Sequence, residues 1–166
     1  MSFACDAMCG GLARWLRALG YDTFYRAGVD DAELVQIARH ESRVLITSDG
    51  KLLERRTIVG GQIAALHLPH GLKLLDQVRF VVAALSLRVH DEPRCMACNG
   101  RLLPAARDEV GDRVPVRSLL WATRFFRCDS CGNVYWDGSH WRRIETIRSQ
   151  LAGEARRSDL PDTPRE

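Results

Sequence analysis

Two Cys-x-x-Cys pairs, Cys95-Met-Ala-Cys98 and Cys128-Asp-Ser-Cys131, are separated by 29 residues. Zinc favours tetrahedral thiolate ligands, and a Cys-x-x-Cys turn aims two sulfurs at one point. Two such turns complete a Cys₄ set, which leaves no open position and makes the ion structural. Glycine follows each pair closely, at Gly100 and Gly132, where the chain must fold back under the metal. The competing accounts are a redox-active pair or a disulfide. A thioredoxin-like motif needs only one pair, and disulfides are unusual in a reducing compartment. Cys5 and Cys9 stand apart and suit buried free thiols. His140 could replace a sulfur, but it lies far from either pair.

A second set of residues is acidic. Asp6 ends an apolar run, Asp49 follows the β-rich Val44-Leu-Ile-Thr47, and Asp30-Asp31 opens a helical pattern. Clustered carboxylates at strand ends suit Mg²⁺ or Mn²⁺, hard cations that take oxygen ligands. Such ions bind a phosphodiester and activate water without histidine or nucleophilic serine. Structural roles compete for two of these positions. Asp30 with Glu33 matches a capping box, with Asp31 then complementing the helix dipole, and Asp49-Gly50 is a plausible turn. Asp6 is the hardest to explain structurally.

These residues need elements to hold them. Over the first 90 positions, short apolar runs alternate with helical patterns, which predicts an α/β unit with a mostly parallel sheet flanked by helices. Strands are expected at Phe3–Cys5, Thr23–Tyr25, Val44–Thr47 and Ile63–Leu68. Leu12, Trp15, Leu16 and Leu19 make one apolar stripe on a helix that stops at Gly20, with Arg14 and Arg17 off the stripe. Further helices are expected from Asp31, over 51–58, and over 74–87. The polar stretch near Val89–Arg94 marks a boundary: 1–90 forms the α/β domain, 91–148 a small β ribbon of hairpins around zinc, and 149–166 a flexible tail. Tyr135, Trp136, His140 and Trp141 invite base stacking, although packing beneath a ribbon explains them as well.

Bulk properties narrow the field. The 166 residues carry 46% hydrophobic and 27% charged residues with a net charge of +3, so a folded core is expected and disorder is not. The positive balance is spread along the chain and does not by itself advertise nucleic acid. No apolar run reaches the ~18–20 residues of a membrane span, and no secretory leader is visible at the start. A cytoplasmic location is the expectation.

The pattern Asp6-x-x-x-Gly10-Gly11-Leu12-Ala13-Arg14-Trp15-Leu16-Arg17-x-Leu19-Gly20-Tyr21-Asp22 resembles the opening of the Mut-seven C-terminal (Mut7-C) ribonuclease domain family. Asp31-x-Glu33-Leu34-x-x-Ile37-Ala38 and Arg43-Val44-Leu45-Ile46-Thr47-x-Asp49 continue it in order. Cys95-x-x-Cys98-Asn99-Gly100, Phe126-x-Cys128-x-x-Cys131-Gly132-x-Val134-Tyr135-Trp136 and Gly138-Ser139-His140-Trp141 are similar to its zinc ribbon. The resemblance covers roughly residues 1–145. It implies a PIN-like nuclease domain fused to a zinc ribbon, acting as a Mg²⁺- or Mn²⁺-dependent ribonuclease on RNA. By position, Asp6, Asp31 and Asp49 become the catalytic metal-binding acids, while Arg14, Arg17 and Lys51 become candidates for holding phosphate. A fourth acid, common in PIN domains, has no assigned position, since Asp76 opens a helix. The rivals are a non-catalytic RNA- or protein-binding module with a degenerate site, and a toxin of a toxin–antitoxin pair.

Overall fold

The computed structural model describes residues 1–158. Its first half is a four-stranded parallel sheet of β1 (Phe3–Cys5), β2 (Thr23–Phe24), β3 (Val44–Thr47) and β4 (Ala65–His67), in the order β2-β1-β3-β4. Alternation along the strands sorts their side chains to two faces. Phe3, Cys5 and Ile46 pack with α1 (Gly10–Ala18) and α5 (Leu74–Ala84), through Leu12, Leu16 and Val78. Ala4 and Leu45 pack on the other face with Leu34 and Ala38 of α2 (Asp31–His40) and Leu52 of α3 (Gly50–Leu53). A helix as short as α1 is marginal alone in water. Burial of Leu12 and Leu16, at roughly 1.5–3 kcal/mol each, holds it in place. It ends at Gly20, whose φ of +97° and closeness to His90 both require glycine.

The helix expected over 51–58 is split into α3 and α4 (Arg56–Val59). Leu52 and Ile58 both reach the α2-side core. Six residues apart on one helix they would point about 120° apart. An extended Arg55, with ψ of 135°, breaks the helix and lets both side chains face inward.

The second sheet is antiparallel, in the order β5 (Leu102–Ala105), β6 (Phe125–Cys128), β7 (Val134–Trp136). Hairpins alone were expected here, yet the segment between β5 and β6 holds two short helices, α6 (Arg107–Val110) and α7 (Val116–Trp121). These cover one sheet face. Val110, Val114 and Ala122 pack there with Phe125, Leu119 and Trp136, so the ribbon has a core of its own.

The last helix, α8, spans Ser139–Ser158 and occupies 149–158, where a tail was expected. Ile144, Ile147 and Leu151 recur at helical spacing, and Ile147 and Leu151 join the core under α1 and α5. One apolar anchor beyond Gln150 is enough to carry the helix onward. The rest of the expected tail, 159–166, lies outside the described residues. No helix among the described residues is long and apolar enough to cross a membrane.

Candidate functional site: an acidic crevice and a four-cysteine centre

In the sheet order, α1 leads from β1 to one side, and the crossover through α2 leads to β3 on the other side of β1. The carboxyl ends of β1 and β3 therefore flank the point where the topology switches, the usual address of an active crevice. Asp6 follows β1, and Asp49 lies two residues past β3. Asp6 is 7% exposed. Its Oδ1 accepts from the Met8 amide at 2.6 Å, and its Oδ2 accepts from the Thr47 hydroxyl. The same hydroxyl accepts from the Asp49 amide at 2.9 Å, so Thr47 ties the two acids together. A carboxylate offers about four lone-pair sites. Those bonds occupy one on each oxygen, leaving capacity for a ligand.

Asp49 is exposed and caps α3, accepting from the Lys51 amide at 2.8 Å. Asp30 caps α2 by accepting from the Glu33 amide at 2.9 Å, as its capping-box spacing foretells. Asp31 starts α2, which packs on the sheet face to which Asp6 and Thr47 belong by strand alternation. Its carboxylate pairs with Arg55 at 3.6 Å. Among the described residues only the four cysteines bring three or more ligand atoms within 4.8 Å of one another. The three acids thus share an edge and a face without closing into a tight cluster. Uncompensated carboxylates repel, and Arg55 draws Asp31 aside.

Arg14 and Lys51 are exposed, Arg14 on α1 and Lys51 on α3. Arg17 is different. It is 3% exposed, and its guanidinium donates to Thr23 O (Nε 3.0 Å, Nη2 2.9 Å), Met96 O (3.1 Å) and Ala97 O (2.9 Å). Burial lowers its pKa. Helical spacing puts Arg17 beside Leu16, off the apolar stripe, and the Thr23 carbonyl together with the knuckle carbonyls of the docked ribbon engages it. Two residues of the crevice went unmarked in the sequence. Thr47 carries no sequence signal beyond that of a strand end. His67 pairs in register with Thr47 and shares its face.

Cys5 and Cys9 flank Asp6 as buried free thiols. Burial, then the negative charges of Cys9 and Asp6, push the Cys5 pKa well up. Burial and Asp6 raise Cys9 to about 12. Both are inert protonated sulfurs at neutral pH.

At the ribbon, all four sulfurs of Cys95, Cys98, Cys128 and Cys131 lie within 4.8 Å of one another. Cys95–Cys131 is 3.7 Å and Cys98–Cys128 is 3.3 Å. A tetrahedron with metal–sulfur bonds of about 2.3 Å has edges of about 3.8 Å, so the set fits one tetrahedral ion such as zinc. His140 is exposed and is not part of the group. Burial raises the Cys95 thiol, but the Tyr135 hydroxyl at 3.1 Å and the Cys98 and Ala97 amides outweigh it, bringing the pKa down to about 7. A thiolate is what a metal requires. The aromatic cluster is packed: Trp141 stacks on Phe126 at 5.5 Å and meets Tyr135 edge-on at 6.1 Å.

The centre is bound to the first sheet. Asn99, at φ +75°, accepts from the Thr23 amide at 3.0 Å and donates to Asp22 at 2.8 Å. Asp22 also pairs with Arg43 at 2.7 Å. Burial would raise the Asp22 pKa, but its bonds from Arg43 and Asn99 outweigh that and lower it. The Mut7-C RNAse domain family matches residues 1–148, both sheets included. The chain belongs to that family. It is also 34% identical over 122 residues to "Exonuclease mut-7 homolog" of Homo sapiens. That match covers 70% of this chain and 13% of the human protein, so the chain spans a small part of that relative's length. No solved structure matches. Membership in this family supports a nuclease function for the α/β-plus-ribbon architecture.

Proposed function

We propose that this Mut7-C domain is a divalent-metal-dependent ribonuclease whose site is the Asp6–Asp49 crevice, with zinc held structurally by Cys95, Cys98, Cys128 and Cys131. The observation that carries the reading is the Asp6 carboxylate, buried at the switch point and joined through Thr47 to Asp49. Mg²⁺ or Mn²⁺ bound there would supply a Lewis acid that polarises a phosphodiester and acidifies water. The chain's own residues prepare for this. The Met8 amide and Thr47 hydroxyl fix the Asp6 oxygens, and the Asp49 backbone is held by the same threonine. Asp31 would complete the donor set when a cation competes with Arg55. Arg14 and Lys51 are free to meet phosphate, whereas Arg17 is engaged by backbone carbonyls.

The test is RNA degradation with Mn²⁺ by the wild type, Asp6→Asn and Asp49→Asn. A roughly hundredfold or greater loss is expected in both variants, since metal stabilisation of developing charge is worth several kcal/mol. Equal rates in all three proteins would sink the assignment. The Asp31–Arg55 pair favours a second reading, a binding module that has kept the fold without a competent site. Mn²⁺ titration separates them: RNA affinity without Mn²⁺ binding supports the module.

A further inference from the structure

The ribbon's second face is not closed by its insert helices. Opposite residues on antiparallel strands point to the same side, so the register places Leu102, Pro104, Phe126 and Tyr135 on the face away from α6 and α7. Trp141 of α8 stacks on Phe126 there. Between this face and the linker that carries His90 to Arg94 lies a cavity of about 540 Å³. That volume is within the range of roughly 300–1,000 Å³ that accommodates a small organic molecule such as a nucleotide, and it is too small for a duplex.

Its lining combines two kinds of group. Phe126 and Trp141 give a stacked, half-buried aromatic wall. Arg101 and Arg124 are exposed, and among the described residues neither guanidinium has a hydrogen-bond or ion-pair partner. They sit at opposite ends of the β5–β6 pair: Arg124 shares the Phe126 face by alternation, while Arg101 alternates with Leu102 and lines the cavity from the edge of β5. Arg101 adjoins the Leu102–Cys128 step and Arg124 adjoins the Ala105–Phe125 step, which puts their backbones about 17 Å apart. That distance spans several nucleotides of extended strand, with the aromatic pair between the two cations. The acids Asp91 and Glu92 lie on the linker wall, and Glu145 is held by Arg148 at 2.7 Å. A polyanion entering the cavity would therefore track the sheet side.

We propose that this cavity is a binding site for single-stranded RNA, in which a splayed base packs against the Phe126–Trp141 wall and flanking phosphates meet Arg101 and Arg124. Aromatic stacking combined with a cationic track is how sequence-tolerant single-strand binding is built. The preference for RNA over an extended peptide rests on the nuclease reading above. The site itself is separate from the acidic crevice.

The experiment measures anisotropy of a fluorescein-labelled single-stranded oligouridylate with the full zinc-loaded chain, Mg²⁺ and Mn²⁺ being withheld. The double variant Arg101→Ala/Arg124→Ala should bind at least tenfold more weakly. The slope of log affinity against log salt should become shallower by about 1.4, near 0.7 for each lost phosphate contact. Trp141→Leu should lose about tenfold with the slope unchanged. The exposed Arg39, in the last turn of α2, serves as the control, and Arg39→Ala should bind as the wild type does. Unaltered affinity in the arginine double variant would overturn the proposal, as would an equal loss in Arg39→Ala. Equally tight, equally sensitive binding of duplex RNA would overturn it too. Because no hydrolysis is measured, either binding result leaves the Asp6–Asp49 assignment standing, and failure of that assignment shows in the Mn²⁺ degradation assay instead.

Discussion

At the scale of single residues, Gly100 is the position where the four-cysteine centre has least room. A Cβ added there would lie 2.6 Å from the Cys128 sulfur and 2.8 Å from the Asp129 carboxylate. A sulfur committed to a metal cannot swing aside, so the ligand must leave or the turn must open. Gly100→Ala is expected to purify with substoichiometric zinc, measured by elemental analysis, while far-ultraviolet circular dichroism still reports the α/β half. Full zinc occupancy would show that the knuckle relaxes more freely than its contacts imply. The Tyr135 hydroxyl at Cys95 has a different role, since it stabilises thiolate character and does not decide geometry.

At the scale of elements, Arg17 joins three pieces of chain that are distant in sequence. From α1 it reaches the backbone of Thr23 at the start of β2 and the carbonyls of Met96 and Ala97 inside the first knuckle. Replacing it with methionine keeps much of the buried stem but leaves three carbonyl oxygens without their charged donor. An abandoned buried acceptor costs about 1–3 kcal/mol. Arg17→Met should therefore lose about 3 kcal/mol in urea unfolding and release zinc faster to a chromogenic chelator. The neighbouring exposed Arg14→Met should stay within about 0.5 kcal/mol of wild type. If the two variants matched in stability and zinc release, the arginine link would have no structural weight.

For the whole molecule, the contacts between the two sheets are expected to make them unfold as one cooperative body. Arg17 and Asn99 bind the knuckle to β2, Arg148 is buried against the linker carbonyls of His90 and Asp91, and Leu151 enters the first core. Zinc that binds only the folded state adds about 4 kcal/mol at a thousandfold excess over its dissociation constant. For a chain of this length that corresponds to roughly 10 °C in Tm. Chelation should lower a single melting transition by that order, for α/β and ribbon signals alike. Two separated transitions, with the first unmoved by chelation, would instead describe independent domains.

Much was legible in the chain itself because it depends on local spacing. The Leu12–Leu19 stripe, the Asp30 cap, the Val44–Thr47 strand and the paired cysteines are patterns whose physics acts over a few residues, and each stands where its spacing put it. The residues that escaped depend on partners far along the chain. Arg17 reads as a surface cation until Met96 and Ala97, some 80 positions later, close over it. Thr47 reads as a strand end until the sheet sets Asp6 beside it, and Leu151 reads as an isolated apolar residue until α8 meets α5. The sequence alone determined which groups are available for chemistry. Only the tertiary structure decided which of them remain free to perform it, because burial and hydrogen bonding engage a side chain through neighbours that local periodicity does not reveal.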